Sequence, residues 1–246
     1  MRLCKIGRGR IPICGELSSS SGSVQEAPNP ASQWSLGTDE FSTMTTPIAT
    51  VLFDLGGVVC RFHPERRLLA LASACGLPAY EVQARIWDSG FDRDCDQGRY
   101  TADEVYRRTR ELLGLQASYE AFRQLWALAF ESDPAVLALA DALRTHVRTA
   151  LLTDNGPVLR DAMPTLFPEI SSRFEPLLFS CELGYLKPAQ DLFTVVLHRL
   201  NQRTDQVLMV DDAPPVVAGA IACGLRACLY RSPDTLQREL QLYGLY

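Results

Sequence analysis

The feature that most narrows the fold is a short apolar run that stops at a carboxylate. Ala49-Thr50-Val51-Leu52-Phe53 leads directly into Asp54 and the turn Leu55-Gly56-Gly57. A run with no polar alternation suits a strand buried on both faces, as in a parallel sheet. Comparable runs return at Arg148 to Leu152, Pro176 to Phe179, Gln206 to Val210 and Arg226 to Tyr230. Between them the spacing turns helical. Pro188 to Leu200 carries Leu192, Val195, Val196 and Leu200 on one stripe, and Val216 to Cys223 and Thr235 to Leu242 are further helices. Strands alternating with helices predict an α/β class fold, a doubly wound (Rossmann-like) parallel sheet.

From Pro64 to His146 the pattern contains no convincing strand. Pro64 to Ala74 is closed by Gly76, and Ala79 to Trp87 places Val82 and Ile86 four apart. Thr101 with Glu104 reads as a capping box, Ser118 as a second cap and Asp133-Pro134 as a third helix start. A helical block inserted after the first strand predicts a lid over the strand ends, where ligands bind in such sheets. The expected division is an α/β core of residues 48–61 and 134–246 with a helical cap of 62–133. Residues 1–47 hold Ser18 to Ser21 and Pro28-Asn29-Pro30 with little periodicity, which predicts a disordered extension. Met44 is the expected natural start.

The chain has 246 residues, 47% hydrophobic, and a formal net charge of -5. No basic run suggests nucleic-acid binding, and no apolar run nears the ~20 residues that span a bilayer. The eight cysteines match no metal-binding or redox spacing, so free thiols in a cytoplasmic protein are expected.

Four segments are expected at strand ends on one crevice: Asp54 to Gly57, Thr153-Asp154-Asn155, Lys187-Pro188 and Asp211-Asp212. Together they suit phosphoryl transfer. A carboxylate can attack phosphorus, a hydroxyl beside backbone N–H groups can bind phosphate oxygens, and a lysine can balance charge. Further carboxylates beside Asp54 call for a hard cation such as Mg²⁺. Each segment alone also fits a turn or a helix cap; their shared order and placement carries the reading.

The stretches VLFDLGGVV (Val51 to Val59), ALLTDNG (Ala150 to Gly156), GYLKP (Gly184 to Pro188) and VLMVDDAPP (Val207 to Pro215) resemble the haloacid dehalogenase superfamily, over about Thr46 to Tyr246. The inserted helices resemble its C1-capped branch. The resemblance implies Asp54 as nucleophile and Lys187 as the charge-balancing catalytic residue. It implies phosphate binding at Thr153, with Asp154, Lys187 and Gly57 beside it. It implies Mg²⁺ at Asp54, Asp211, Asp212 and the Gly56 carbonyl. A small phosphorylated metabolite, with a sugar-phosphate-like leaving group, is the implied substrate, with no nucleic-acid or membrane partner.

Two positions depart from that pattern. Most related phosphatases carry a second Asp two residues after the nucleophile as general acid and base, and here that residue is Gly56. Asp-x-Gly versions occur in a branch resembling sugar-phosphate phosphatases. Val216 stands where a further Asp or Asn is common, and Ala213 replaces a polar residue. Two alternatives follow: a metal-independent 2-haloacid dehalogenase, and a phosphate-binding regulatory protein without turnover. For substrate selection the cap offers Asp88, Asp92, Arg93, Asp94, Asp96, Arg99 and Tyr100, although 92–100 also reads as a solvated loop before Thr101.

Overall fold

The structure is a computed structural model and describes residues 46–246. The expected extension of 1–47 falls almost wholly outside them. Five strands form the central sheet: β1 (Thr50–Phe53), β4 (Arg148–Thr153), β5 (Leu177–Phe179), β6 (Val207–Asp211) and β7 (Arg226–Leu229). All pair in parallel, in the order β5-β4-β1-β6-β7. The chain leaves β1 for one side of the sheet and later crosses to the other. The strand order therefore reverses at β1, and a crevice opens at its carboxyl end. In register, Phe53 lies opposite Leu151 and Val210, which sets Asp54 level with Asp211.

Side chains alternate between the two faces. Val51, Phe53, Leu151, Leu208 and Val210 enter one apolar cluster, which continues into the inserted helices. Leu52, Ala150, Leu152, Val207 and Met209 enter the other. That second face is covered by α10 (Gln190–Leu200) and α11 (Pro214–Ala222). The first is covered by α6 (Pro134–Leu143), α7 (Pro157–Leu166) and α12 (Pro233–Leu242). Short α8 (Pro168–Ser171) and α9 (Ser180–Leu183) lie in the connections around β5.

The inserted helices are α1 (Pro64–Cys75), α2 (Ala79–Gln83), α3 (Phe91–Asp96), α4 (Ala102–Leu113) and α5 (Tyr119–Ala127), with a wider π turn over Ala84–Asp88. Gly76 ends α1 in the left-handed conformation. Thr101 and Glu104 form the reciprocal capping box of α4, Ser118 caps α5 and Asp133 caps α6.

Two strands here were not expected. β2 (Cys60–Phe62) and β3 (Phe130–Ser132) pair antiparallel, with Phe62 opposite Phe130, and bracket the inserted helices. The Asp92–Tyr100 loop is also corrected in part, because α3 occupies its first half. No helix among the described residues is long and apolar enough to cross a membrane.

Candidate active site

The crevice at the end of β1 holds a cavity of about 270 Å³. The sheet side supplies Asp54, Thr153, Asn155, Lys187 and Asp211, and the inserted helices supply Arg67, Asp92 and Asp96. The expected segments therefore converge from separate strands onto one space.

Lys187 is the hub. Its Nζ lies 2.7 Å from Asp54 Oδ1 and 2.8 Å from Asp211 Oδ2, and its side chain is almost wholly buried. It does not sit at a strand end as expected but eight residues past β5, in the loop after α9. Two contacts hold it there. Both carboxylate oxygens of Asp154 accept the Lys187 backbone N–H, at 3.0 and 3.2 Å. Gly219 in α11 lets the loop approach, since a Cβ there would stand 2.7 Å from Pro188 Cβ. Asp154, expected among the phosphate-binding positions, thus spends its side chain on placing Lys187.

Burial lowers the affinity of Lys187 for its proton, but Asp54, Asp211 and Asp154 outweigh it, and the pKa ends above that of a free lysine. Asp54 moves the other way from an exposed carboxyl. Burial and the nearby Asp211 raise it against the pull of Lys187, to about 6.

Asp54, Asp211 and Asp212 each present a carboxylate oxygen, and these lie within 4.8 Å of one another. One ammonium does not neutralise three carboxylates, so the donor set fits a hard divalent cation. The Gly56 carbonyl accepts no backbone hydrogen bond among the described residues, which leaves it free as a fourth oxygen. Gly57 has φ +89°, and a Cβ there would stand 2.3 Å from Asp212 Oδ2. Its N–H donates to the Cys60 carbonyl at 2.7 Å. The amide of Gly57, expected among the phosphate-binding positions, is thus occupied within the turn, and the residue makes room for Asp212.

Thr153 Oγ1 accepts the Asn155 side-chain amide at 2.7 Å, which leaves the hydroxyl proton to donate into the cavity. Ser180 Oγ accepts the Asn155 N–H at 3.0 Å and donates to the Asp96 carbonyl at 2.6 Å. One buried hydroxyl so ties the sheet side to α3.

Arg67 was missed in the sequence. It is 5% exposed, and its Nε has no partner among the described residues. Its guanidinium lies 5.2 Å from the Trp87 ring centroid and 4.7 Å from that of Trp126. Its position four before buried Leu71 is the one available signal. Of the polar candidates named for the cap, Asp92 and Asp96 line the cavity. Asp94 instead pairs with Arg99 at 2.9 Å, and Asp88 accepts from Gln83.

Residues 48–224 match the haloacid dehalogenase-like hydrolase family. The chain belongs to this family. Among relatives, it is 25% identical over 173 residues to D-ribitol-5-phosphate phosphatase of Bacteroides thetaiotaomicron, covering 67% of this chain and 83% of that one. A family hydrolase from Porphyromonas gingivalis superposes with TM-score 0.67 at 23% identity, over 79% of this chain and 98% of that one. A family enzyme from Bacteroides thetaiotaomicron, in complex with magnesium and inorganic phosphate, superposes with TM-score 0.63 at 19% identity, over 75% and 94% of the two chains. The family's fold is the one described above.

Proposed function

We propose that the chain is a Mg²⁺-dependent phosphatase of small, sugar-phosphate-like monoesters, working through an aspartyl-phosphate on Asp54. The observation that carries this is the cluster of buried Asp54, Lys187 and Asp211 with Asp212 at its exposed edge, at the end of β1. The relative named as a D-ribitol-5-phosphate phosphatase, and the similar fold that holds magnesium and phosphate, support it. A metal-independent dehalogenase would leave that cluster's excess negative charge without a use.

In this reading residues 62–133 act as a cap that closes the cavity over the ester. Asp54 attacks phosphorus in line, kept ionised by the Lys187 ammonium at 2.7 Å. Lys187 also places positive charge beside the oxygens of the transferring group, and the Thr153 hydroxyl donates to one of them. Asp154 holds Lys187 in position through its backbone N–H. Asp54, Asp211, Asp212 and the Gly56 carbonyl would hold Mg²⁺, which when bound offsets phosphate charge. Water then cleaves the acyl-phosphate and frees Asp54.

The test is phosphate release from a panel of sugar and nucleotide monophosphates, with and without Mg²⁺, beside Asp54→Asn. Activity on the panel should require Mg²⁺ and fall to background in the variant. Full activity in Asp54→Asn would reject the nucleophile assignment.

A further inference from the structure

Phosphate-ester cleavage needs a proton for the departing alkoxide, and Gly56 has no side chain to give one. The cavity wall narrows the choice of donor. Lys187 is held between Asp54 and Asp211. Asp211 belongs to the cation site, and its oxygens are further engaged, Oδ2 with Lys187 and Oδ1 accepting the Ala213 N–H at 2.9 Å. Asp154 uses both oxygens on the Lys187 backbone. Burial raises Asp92, but the Arg67 guanidinium and the Trp87 indole beside it pull it back toward its ionised form and occupy its carboxylate. Asp96 remains.

The geometry around Asp96 is built rather than loose. It ends α3, and its carbonyl is bonded to Ser180, whose hydroxyl also receives the Asn155 N–H. Its carboxyl lies against Gly156, where a Cβ would meet Asp96 Oδ1 at 3.4 Å. Just beyond it, Gly98 has φ +74°, and a Cβ there would come 2.0 Å from the Cys181 carbonyl oxygen. Only glycine lets this turn lie directly on α9. Asp96 lines the same cavity as Asp54, and its carboxyl forms no ion pair within 4.0 Å among the described residues.

We infer that Asp96 is the proton donor to the leaving group, supplying from the inserted helices what the side chain at position 56 lacks. This rests on the phosphatase reading above. As the ester P–O bond breaks, the departing oxygen takes the Asp96 carboxyl proton and leaves as an alcohol. Asp96 is then a carboxylate, and it takes a proton from the water that attacks the aspartyl-phosphate. That step returns Asp54, releases phosphate and restores protonated Asp96, so the cycle consumes one water and no other reagent.

The surroundings keep that proton in place at neutral pH. Burial, then Asp92, raise Asp96 against the pull of Arg67, with Asp154 adding to the rise, to about 9. Cys95 and Cys181 pack beside it with their thiols pushed well up, so they stay neutral.

The test uses the Mg²⁺-loaded full chain and three esters of increasing leaving-group acidity: D-ribitol 5-phosphate, phenyl phosphate and p-nitrophenyl phosphate. General acid help is typically about 10²–10⁴ in rate. In Asp96→Asn, kcat/KM should fall by about that factor for the alditol ester. The loss should shrink along the series to a few-fold for p-nitrophenyl phosphate, whose turnover also reports a folded site. An equal loss on all three esters, or none on the alditol ester, overturns the inference while leaving the phosphatase reading intact. Failure of the parent chain to cleave any of the three overturns both.

Discussion

Gly57→Ala tests the metal site without touching any group assigned to chemistry. At φ +89° an alanine is strained, by about 1–2 kcal/mol for an L-residue in the left-handed region. The new methyl would also stand 2.3 Å from Asp212 Oδ2 and 2.6 Å from Asp212 Cγ, far inside contact distance. Asp212 is at the exposed edge of the site and can swing outward. Its carboxylate then leaves the group of three whose oxygens lie within 4.8 Å. Two separate effects follow. In chelator, the variant should melt roughly 2–8 °C below the parent, as expected for ~1–2 kcal/mol in a domain of this size. In saturating Mg²⁺ the parent should gain stability by mass action, whereas the variant should gain much less at the same concentration. Thermal melts with a Mg²⁺ titration separate the two, and phosphate release against Mg²⁺ concentration should shift in parallel. A variant that keeps the parent's full Mg²⁺-induced rise would refute the placing of Asp212 at the metal.

Two further perturbations follow from the same cluster. Lys187→Met removes the only ammonium among the described residues that pairs with buried Asp54 and Asp211, and breaking a buried pair this way costs about 3–5 kcal/mol. The deficit in chemical denaturation should be larger at pH 8 than at pH 5, because a protonated Asp54 no longer needs the partner; an equal deficit at both pH values would count against a buried charge cluster. The second concerns Asp96, raised to about 9 in the fold, while an unfolded Asp ionises near 4. The folded chain therefore binds the extra proton between those values, and stability falls as pH rises, by at most about 1.4 kcal/mol per pH unit. Asp54, raised to about 6, adds the same sign at lower pH. Asp96→Asn should flatten the stability profile between pH 6 and 9, and a profile parallel to the parent's would show that Asp96 is ionised there.

Much of the architecture is legible in the residues because local signals agree with the global fold. The runs ending at Asp54, Thr153 and Asp211 become central strands since each is apolar on both faces. The capping box at Thr101 and Glu104 forms where its chemistry predicts. Other features are not local. Cys60–Phe62 and Phe130–Ser132 are too short to show a strand period, and they exist because they pair with each other across the inserted helices. The reach of Lys187 depends on Asp154 and Gly219, which lie far away in sequence. Arg67 reads as a surface residue of an amphipathic helix; only Trp87 and Trp126, from other turns of the chain, make it a buried cavity wall. The Gly57 position was visible, but its occupied amide follows from the turn closing on Cys60.

The ribbon of β2 and β3 has a consequence for how such a chain can diversify. The excursion from His63 to Ala129 begins and ends on one short ladder, with Phe62 facing Phe130. Its two ends are neighbours, so its length and content bear little on where Asp54 and Asp211 sit. A different helical segment spliced between Phe62 and Phe130 would meet the same junction. The ladder thus works as a socket: the half that carries Asp54 and Asp211 can stay unchanged while the inserted half is exchanged as a unit.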